Sequence, residues 1–297
     1  MTTLYQILII IVLNITPTDI YQVDNEIVTE KINHNGIERE YLYFTPNILP
    51  VNAPLIIVMH GFTSNAKQIM AYSKMNEQAI KYGFAVAYPQ GTKDKKGRSF
   101  WNVGYEFHAD SKVDDIDFIA ELVGHLQGKY TLSVKNTFAT GMSNGGEMCF
   151  LLACRRPSLF RAVAPVAGTM MTKSINTCKP ASPPPIYAIA GTADQTTNFN
   201  GDPENKDGWG AYLGIPEIIN YWAKRSKYDH VKTFTLTDLD KKDSSTVFRK
   251  FYMSEKAKSV VVFDKIIGGG HDWPSAWGNK DINATEEICK FFNQFIE

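Results

Sequence analysis

The hydrophobic pattern breaks the chain into short apolar runs separated by stretches with helical spacing. Residues 54–59 (PLIIVM) and 83–89 (GFAVAYP) are nearly continuous apolar runs. Such runs suit strands buried on both faces, as in a parallel sheet. Residues 136–140, 160–166 (FRAVAPV), 185–190 (PIYAIA) and 259–267 continue the series. Helical periodicity fills the gaps at 64–82, 113–126, 147–154, 216–227 and 283–295. In the second of these, Ile116, Ile119, Ala120, Leu122 and Val123 share the apolar side. Near the start, residues 26–34 and 37–44 flank Asn35-Gly36, a strong hairpin signal. They predict an antiparallel edge. Residues 232–239 and 247–253 read as two more strands with the spacing of a hairpin. Alternating strands and helices imply a mostly parallel central sheet with helices on both faces. Ligands bind at the carboxyl ends of the strands in such sheets.

Composition changes this picture little. The chain has 297 residues, 44% hydrophobic and 21% charged, which is ordinary for a globular α/β protein. Its 31 basic and 31 acidic residues cancel. No basic stripe points to nucleic acid, and a substrate steered by long-range charge is not expected. Residues 7–15 (ILIIIVLNI) are too short to span a bilayer. The run suits the apolar region of a secretory signal over residues 1–18, although no Lys or Arg precedes Lys31. That leaves residues 19–297 as one domain, with no linker or repeat inside it. No binding module is appended, so soluble or loosely held substrates are expected over insoluble polymer.

Four cysteines, Cys149, Cys154, Cys178 and Cys289, allow three pairings. Cys149 and Cys154 share a helix, where an axial rise of about 7.5 Å separates them. That exceeds the usual disulfide span of about 7 Å. Any bridge should therefore join one of them to Cys178 or Cys289; four unpaired core thiols are the alternative. Asn283-Ala284-Thr285 is a glycosylation sequon whose asparagine can equally cap the last helix.

The chemistry centres on Gly141-Met142-Ser143-Asn144-Gly145-Gly146. This G-x-S-x-G sits between a β-prone run and a helix, the context of a nucleophile elbow. A serine so placed needs a base, and the base an orienting acid, in the order Ser, Asp, His. Asp194 follows the apolar run 185–190, and His271 follows the run 259–267 after three glycines. His271 is the expected general base and Asp194 its orienting partner. His34, His108, His125 and His230 lack either the order or the glycine turn. The backbone amides of Asn144 and Phe62 are the expected oxyanion donors. His60 is read as a support for that turn. Asp110, Asp114, Asp115 and Asp117 lack the spacing of a calcium loop and suit a helix N-terminus instead. No metal or cofactor is called for.

The motifs together carry a resemblance. His60-Gly61-Phe62, Tyr88-Pro89-Gln90-Gly91, Trp101-Asn102, Val113-Asp114-Asp115, the Ser143 elbow, Ala164-Pro165-Val166-Ala167-Gly168, Gly191-Thr192-Ala193-Asp194 and Gly269-Gly270-His271-Asp272-Trp273-Pro274 occur in order. In this the chain resembles the polyhydroxybutyrate depolymerase-type esterases, a group that includes feruloyl and acetylxylan esterases. The resemblance covers about residues 28–296. It implies an α/β-hydrolase fold, the triad Ser143, Asp194 and His271, and ester substrates that are small or part of a polysaccharide or polyester. It also implies that Trp101 and Trp273 line the substrate pocket, with core packing as the alternative. The chain departs from the family at Ala190, where a histidine is common, and at Thr197-Asn198-Phe199. Both changes bear on the pocket and leave the triad intact. A serine peptidase on the same fold and a non-catalytic binding shell are the competing readings.

Overall fold

The computed structural model describes residues 21–22, 25–254 and 260–297. The apolar leader and the predicted strand start at Ser259 lie outside the described residues.

Ten strands form one sheet. In chain order they are β1 (Glu26–His34), β2 (Ile37–Thr45), β3 (Leu55–Met59), β4 (Ala85–Pro89), β5 (Thr137–Met142), β6 (Ala162–Val166), β7 (Ile186–Gly191), β8 (His230–Thr235), β9 (Thr246–Met253) and β10 (Val260–Ile267). Their order across the sheet is β8-β9-β10-β7-β6-β5-β3-β4-β2-β1. The six strands from β10 to β4 run parallel, and antiparallel pairs close both edges. The fold is that of an α/β-hydrolase, as the family resemblance implies, and its mostly parallel sheet is what the alternation of runs predicts.

The continuous apolar strands serve two cores at once. Leu55, Ile57 and Met59 of β3 pack into one, with Phe118, Leu122, Met148, Leu152 and Trp222. Ile56 and Val58 pack into the other, with Ile69, Ala79, Ile288 and Phe292. Alternate side chains of a strand point to opposite faces, so a strand covered on both sides must be apolar throughout. Each such side chain contributes roughly 1.5–3 kcal/mol by leaving water.

The helices are α1 (Ala66–Ser73), α2 (Met75–Tyr82), α3 (Asp115–Tyr130), α4 (Asn144–Arg155), α5 (Thr172–Thr177), α6 (Ile215–Arg225) and α7 (Ala284–Asn293). One correction concerns residues 64–82, expected as a single helix. The chain breaks at Lys74, whose φ of 51° ends α1 while its amide bonds to the Met70 carbonyl. The turn redirects α2 so that Met75 and Ala79 join Ile288 and Phe292 in one core. Asp114 caps α3 by accepting from the Asp117 amide at 2.9 Å, so it is a helix start rather than a metal loop. Asn283 caps α7 in the same way at 3.2 Å. Cys154 at the end of α4 is bonded to Cys178 after α5, while Cys149 and Cys289 are buried thiols.

Candidate active site

The parallel strands end together. Met59 of β3 pairs with Gly141 of β5, Gly141 pairs with Pro165 of β6, and Gly191 of β7 pairs with Ile266 of β10. The segments beyond these ends converge on Ser143.

Ser143 has φ 56° and ψ −121°, a backbone conformation that costs an L-residue energy. Close packing holds it there. A Cβ on Gly145 would lie 2.2 Å from the Met59 carbonyl oxygen, and one on Gly141 would lie 2.7 Å from the Gly145 backbone. Space, not a positive φ, is what these two glycines provide. The Ser143 amide donates to the Val166 carbonyl at 2.9 Å, and α4 begins at the next residue.

Asp194 and His271 are brought together by the turns that carry them. The Ala193 amide donates to the Gly269 carbonyl at 2.8 Å and the Thr192 amide to Ile266 at 2.9 Å. Any side chain on Gly191 would run into Gly269 and Gly270. His271 Nδ1 lies 2.7 Å from Asp194 Oδ2. The other carboxylate oxygen of Asp194 accepts the Thr196 and Thr197 amides at 2.8 and 2.7 Å. The acid is thus buried and fully paired, as an orienting group requires. His271 stays partly exposed and lines the same cleft as Ser143. No hydrogen bond joins the Ser143 hydroxyl to the imidazole among the described contacts; such bonds often tighten only with substrate present.

That cleft holds about 650 Å³ and is walled by Gly61, Phe62, Gln68, Tyr72 and Met142. Behind Ser143 lies a second, narrow recess of about 20 Å³, lined by Tyr105, Glu147, Thr197 and Tyr212 among others. A hollow comparable to the cleft sits at the antiparallel edge, beneath Tyr43 and Tyr130, and contains none of these groups.

Among the described contacts, neither the Phe62 nor the Asn144 amide donates to another group of the protein. The turn that carries Phe62 is braced by His60. His60 Nε2 accepts the Gly91 amide at 2.9 Å, and Nδ1 faces the Gly61 carbonyl at 2.7 Å. Burial pushes its imidazole down to about 4, so the ring is neutral and carries its proton on Nδ1. Buried Arg39 and Asp115 pair at 2.7 Å, and Asp115 also accepts the Asn102 amide. Both ends of the loop from Gln90 to Asn102 are thereby held, since Arg39 also donates to the Gln90 carbonyl at 3.3 Å.

Trp101 and Trp273 are not on the cleft. Both are buried, at 0% and 1% exposure. Trp101 donates from Nε1 to the His60 carbonyl at 2.9 Å, and its amide donates to Asn144 Oδ1 at 2.7 Å. Trp273 donates to Thr285 Oγ1 at 2.8 Å. The indoles pack the core, and Trp101 tethers the turn at His60 to the start of α4. Sequence reasoning missed Tyr72 and Met142 on the cleft and, more important, Glu147. That acid follows Ser143 by four residues, one helical turn, which is the spacing that could have exposed it.

Comparison with known proteins points to esterases. Residues 39–179 match the family described as Esterase PHB depolymerase. Feruloyl esterase B of Piromyces equi is 30% identical over 221 residues, covering 74% of this chain and 39% of that protein. Poly(3-hydroxyalkanoate) depolymerase C of Paucimonas lemoignei is 26% identical over 251 residues, covering 77% of this chain and 57% of that protein. The chain therefore spans well under two thirds of the length of these two relatives. The solved acetyl xylan esterase from Aspergillus awamori superposes with a TM-score of 0.61 at 16% identity, covering 91% of this chain and all of that one. At that identity the likeness speaks for the fold alone.

Proposed function

Residues 39–179 match the Esterase PHB depolymerase family, and from that match we propose that the protein is a serine esterase that cleaves carboxylic esters through an acyl-enzyme. The observation that carries the reading is one cleft that holds both a strained elbow serine and an imidazole oriented by a buried carboxylate.

The steps follow from the atoms present. His271 holds its proton on Nδ1 against Asp194, which leaves Nε2 free to take the proton of Ser143. The Ser143 oxygen adds to the ester carbonyl. The negative oxygen that results is met by the Phe62 and Asn144 amides. The imidazolium, stabilised by Asp194, gives its proton to the departing alcohol. Water, deprotonated by the same ring, then hydrolyses the acyl-serine and restores the enzyme. All of this uses side chains and amides of the protein, with no cofactor in any step.

The substrate class is feruloyl or acetyl esters on polysaccharide, or short hydroxyalkanoate esters. The names of the relatives support that range. Secretion, with residues 1–18 removed and 19–297 as one catalytic domain, is part of the same proposal. The Cys154–Cys178 bridge supports an oxidising compartment.

The test is hydrolysis of short-chain p-nitrophenyl esters and methyl ferulate by residues 19–297, beside Ser143→Ala. Turnover should fall by about 10⁴-fold or more in the variant. Unchanged turnover in Ser143→Ala, or cleavage of peptide amides but no ester, would sink the reading.

A further inference from the structure

The two amides proposed to meet the oxyanion belong to different parts of the chain. Phe62 follows β3, and Asn144 opens α4. A Cβ on Gly61 would lie 3.5 Å from that of Ser143, so the Phe62 turn runs close beside the nucleophile. Such donors work only when they already stand where the negative oxygen will form. Something must therefore hold the two segments at a fixed spacing.

Residues 99–101 touch both. On the Phe62 side, Trp101 Nε1–H donates to the His60 carbonyl at 2.9 Å, and the Thr63 amide donates to the Ser99 carbonyl at 2.8 Å. The peptide group that carries the Phe62 amide lies between these two tied peptide groups. The turn needs holding: Thr63 has φ 66°, a costly conformation for a β-branched residue. On the Asn144 side, the side chain of that residue accepts the Trp101 amide at 2.7 Å and donates to the Trp101 carbonyl at 3.1 Å. Asn144, His60 and Trp101 are all at 0% exposure, so water does not compete for these bonds. Residues 99–101 are fixed in turn from outside. Phe100 pairs with Thr92, and Asn102 Nδ2 donates to the Val113 carbonyl at 2.8 Å.

The structure assigns to Trp101 the part of a positioning residue, which sets the spacing of the Phe62 and Asn144 amides through Nε1 on one side and its backbone on the other. This rests on the esterase reading above. Trp101 itself is off the cleft. Core packing alone calls for a large apolar ring at this place; it does not call for an N–H aimed at the His60 carbonyl. Losing that bond leaves the serine, its base and the cleft in place and lets the two donors drift. The cost falls on the transition state, and ground-state binding is spared.

The experiment reads the spacing with sulfur. Methyl butyrate and its thiono analogue differ only in C=O against C=S. Sulfur is larger and a weaker acceptor, so donors set for oxygen reject it. Wild type should favour the oxygen ester in kcat/KM by about 100-fold or more. Trp101→Phe keeps an apolar ring and removes the N–H. Per active site titrated with a fluorophosphonate, it should lose about tenfold in kcat with KM within about twofold. Its oxygen-to-sulfur ratio should narrow by a similar factor, which loss of folded enzyme alone would not do. Asn144→Ala cuts the other side of the bridge and should narrow the ratio too, which keeps the test alive if Trp101→Phe does not fold. An oxygen-to-sulfur ratio unmoved in these variants, or a loss confined to KM, would overturn the assignment and leave Trp101 a packing residue. A wild-type ratio near one would overturn it as well, by removing the donors it spaces. Neither result touches the esterase reading, which stands on methyl butyrate hydrolysis that Ser143→Ala abolishes. No turnover of any ester would overturn both.

Discussion

His60 sits on the turn after β3, and Glu147 sits in the first turn of α4; both are buried ionisable groups. Their surroundings differ in one respect. Both ring nitrogens of His60 are engaged, by the Gly91 amide and the Gly61 carbonyl. The Glu147 carboxyl faces Tyr105, Asn144 and the Thr169 amide, with Oε2 held less closely than either ring nitrogen of His60. Burial drives both toward neutrality, the imidazole down to about 4 and the carboxyl up to about 8. The neutral imidazole is a finished part of the scaffold, holding the Gly61 turn, the proposed oxyanion site, in place. The carboxyl is set among Tyr105, Asn144 and the Thr169 amide behind the nucleophile, and burial keeps it protonated there. Equal burial therefore says little about role; the count of satisfied hydrogen bonds says more.

The largest expected effect breaks the His60 side. His60→Leu leaves the buried Gly91 amide without its acceptor and frees the Gly61 turn. Urea unfolding should report a loss of about 2–4 kcal/mol. In the folded fraction kcat should drop roughly tenfold or more with a smaller change in KM, because the Phe62 donor is displaced only where charge develops. A variant as stable and as fast as wild type would remove His60 from the account.

A smaller effect sharpens the comparison through pH. The His60 pKa is lower folded than unfolded, so the unfolded chain binds more protons between about 4 and 6.5. Its contribution to stability is lost as pH falls through that window. The Glu147 pKa is higher folded than unfolded, so the native state binds more protons between about 4.5 and 8. Its contribution is lost as pH rises through that window. The two slopes oppose each other up to about 6.5, and above it only Glu147 acts. Unfolding free energy in Glu147→Gln should decline less steeply than in wild type from pH 6.5 to 8, by at most about 1.4 kcal/mol per pH unit. Parallel curves would mean that Glu147 is ionised in the native state.

Much of this was legible in the sequence. The apolar runs gave the buried strands because a strand covered on both faces has no polar option. The glycine turns after β7 and β10 marked Asp194 and His271, because close packing of Gly191 on Gly269 and Gly270 admits no side chain. The spacing of Cys149 and Cys154 correctly excluded a bond between them. It could not choose Cys154–Cys178, since that depends on which face of α4 meets the loop after α5 and which meets the sheet. The break at Lys74 left no signal, for neither glycine nor proline marks it. The two tryptophans depended on distant neighbours: Trp101 packs near His60, and Trp273 bonds to Thr285. Glu147 was hidden by a good local reason. An acid in the first turn of a helix usually serves the helix dipole in water, and only the tertiary fold shows that this one is buried.

The central claim is that Ser143 is the nucleophile and His271 its base. The most direct measurement is peptide mass spectrometry after reaction with a fluorophosphonate. One adduct, on the peptide that contains Ser143, absent in Ser143→Ala and formed far more slowly in His271→Ala, is the predicted result. An adduct on another serine, or ester turnover that persists with Ser143 unlabelled, would contradict the account.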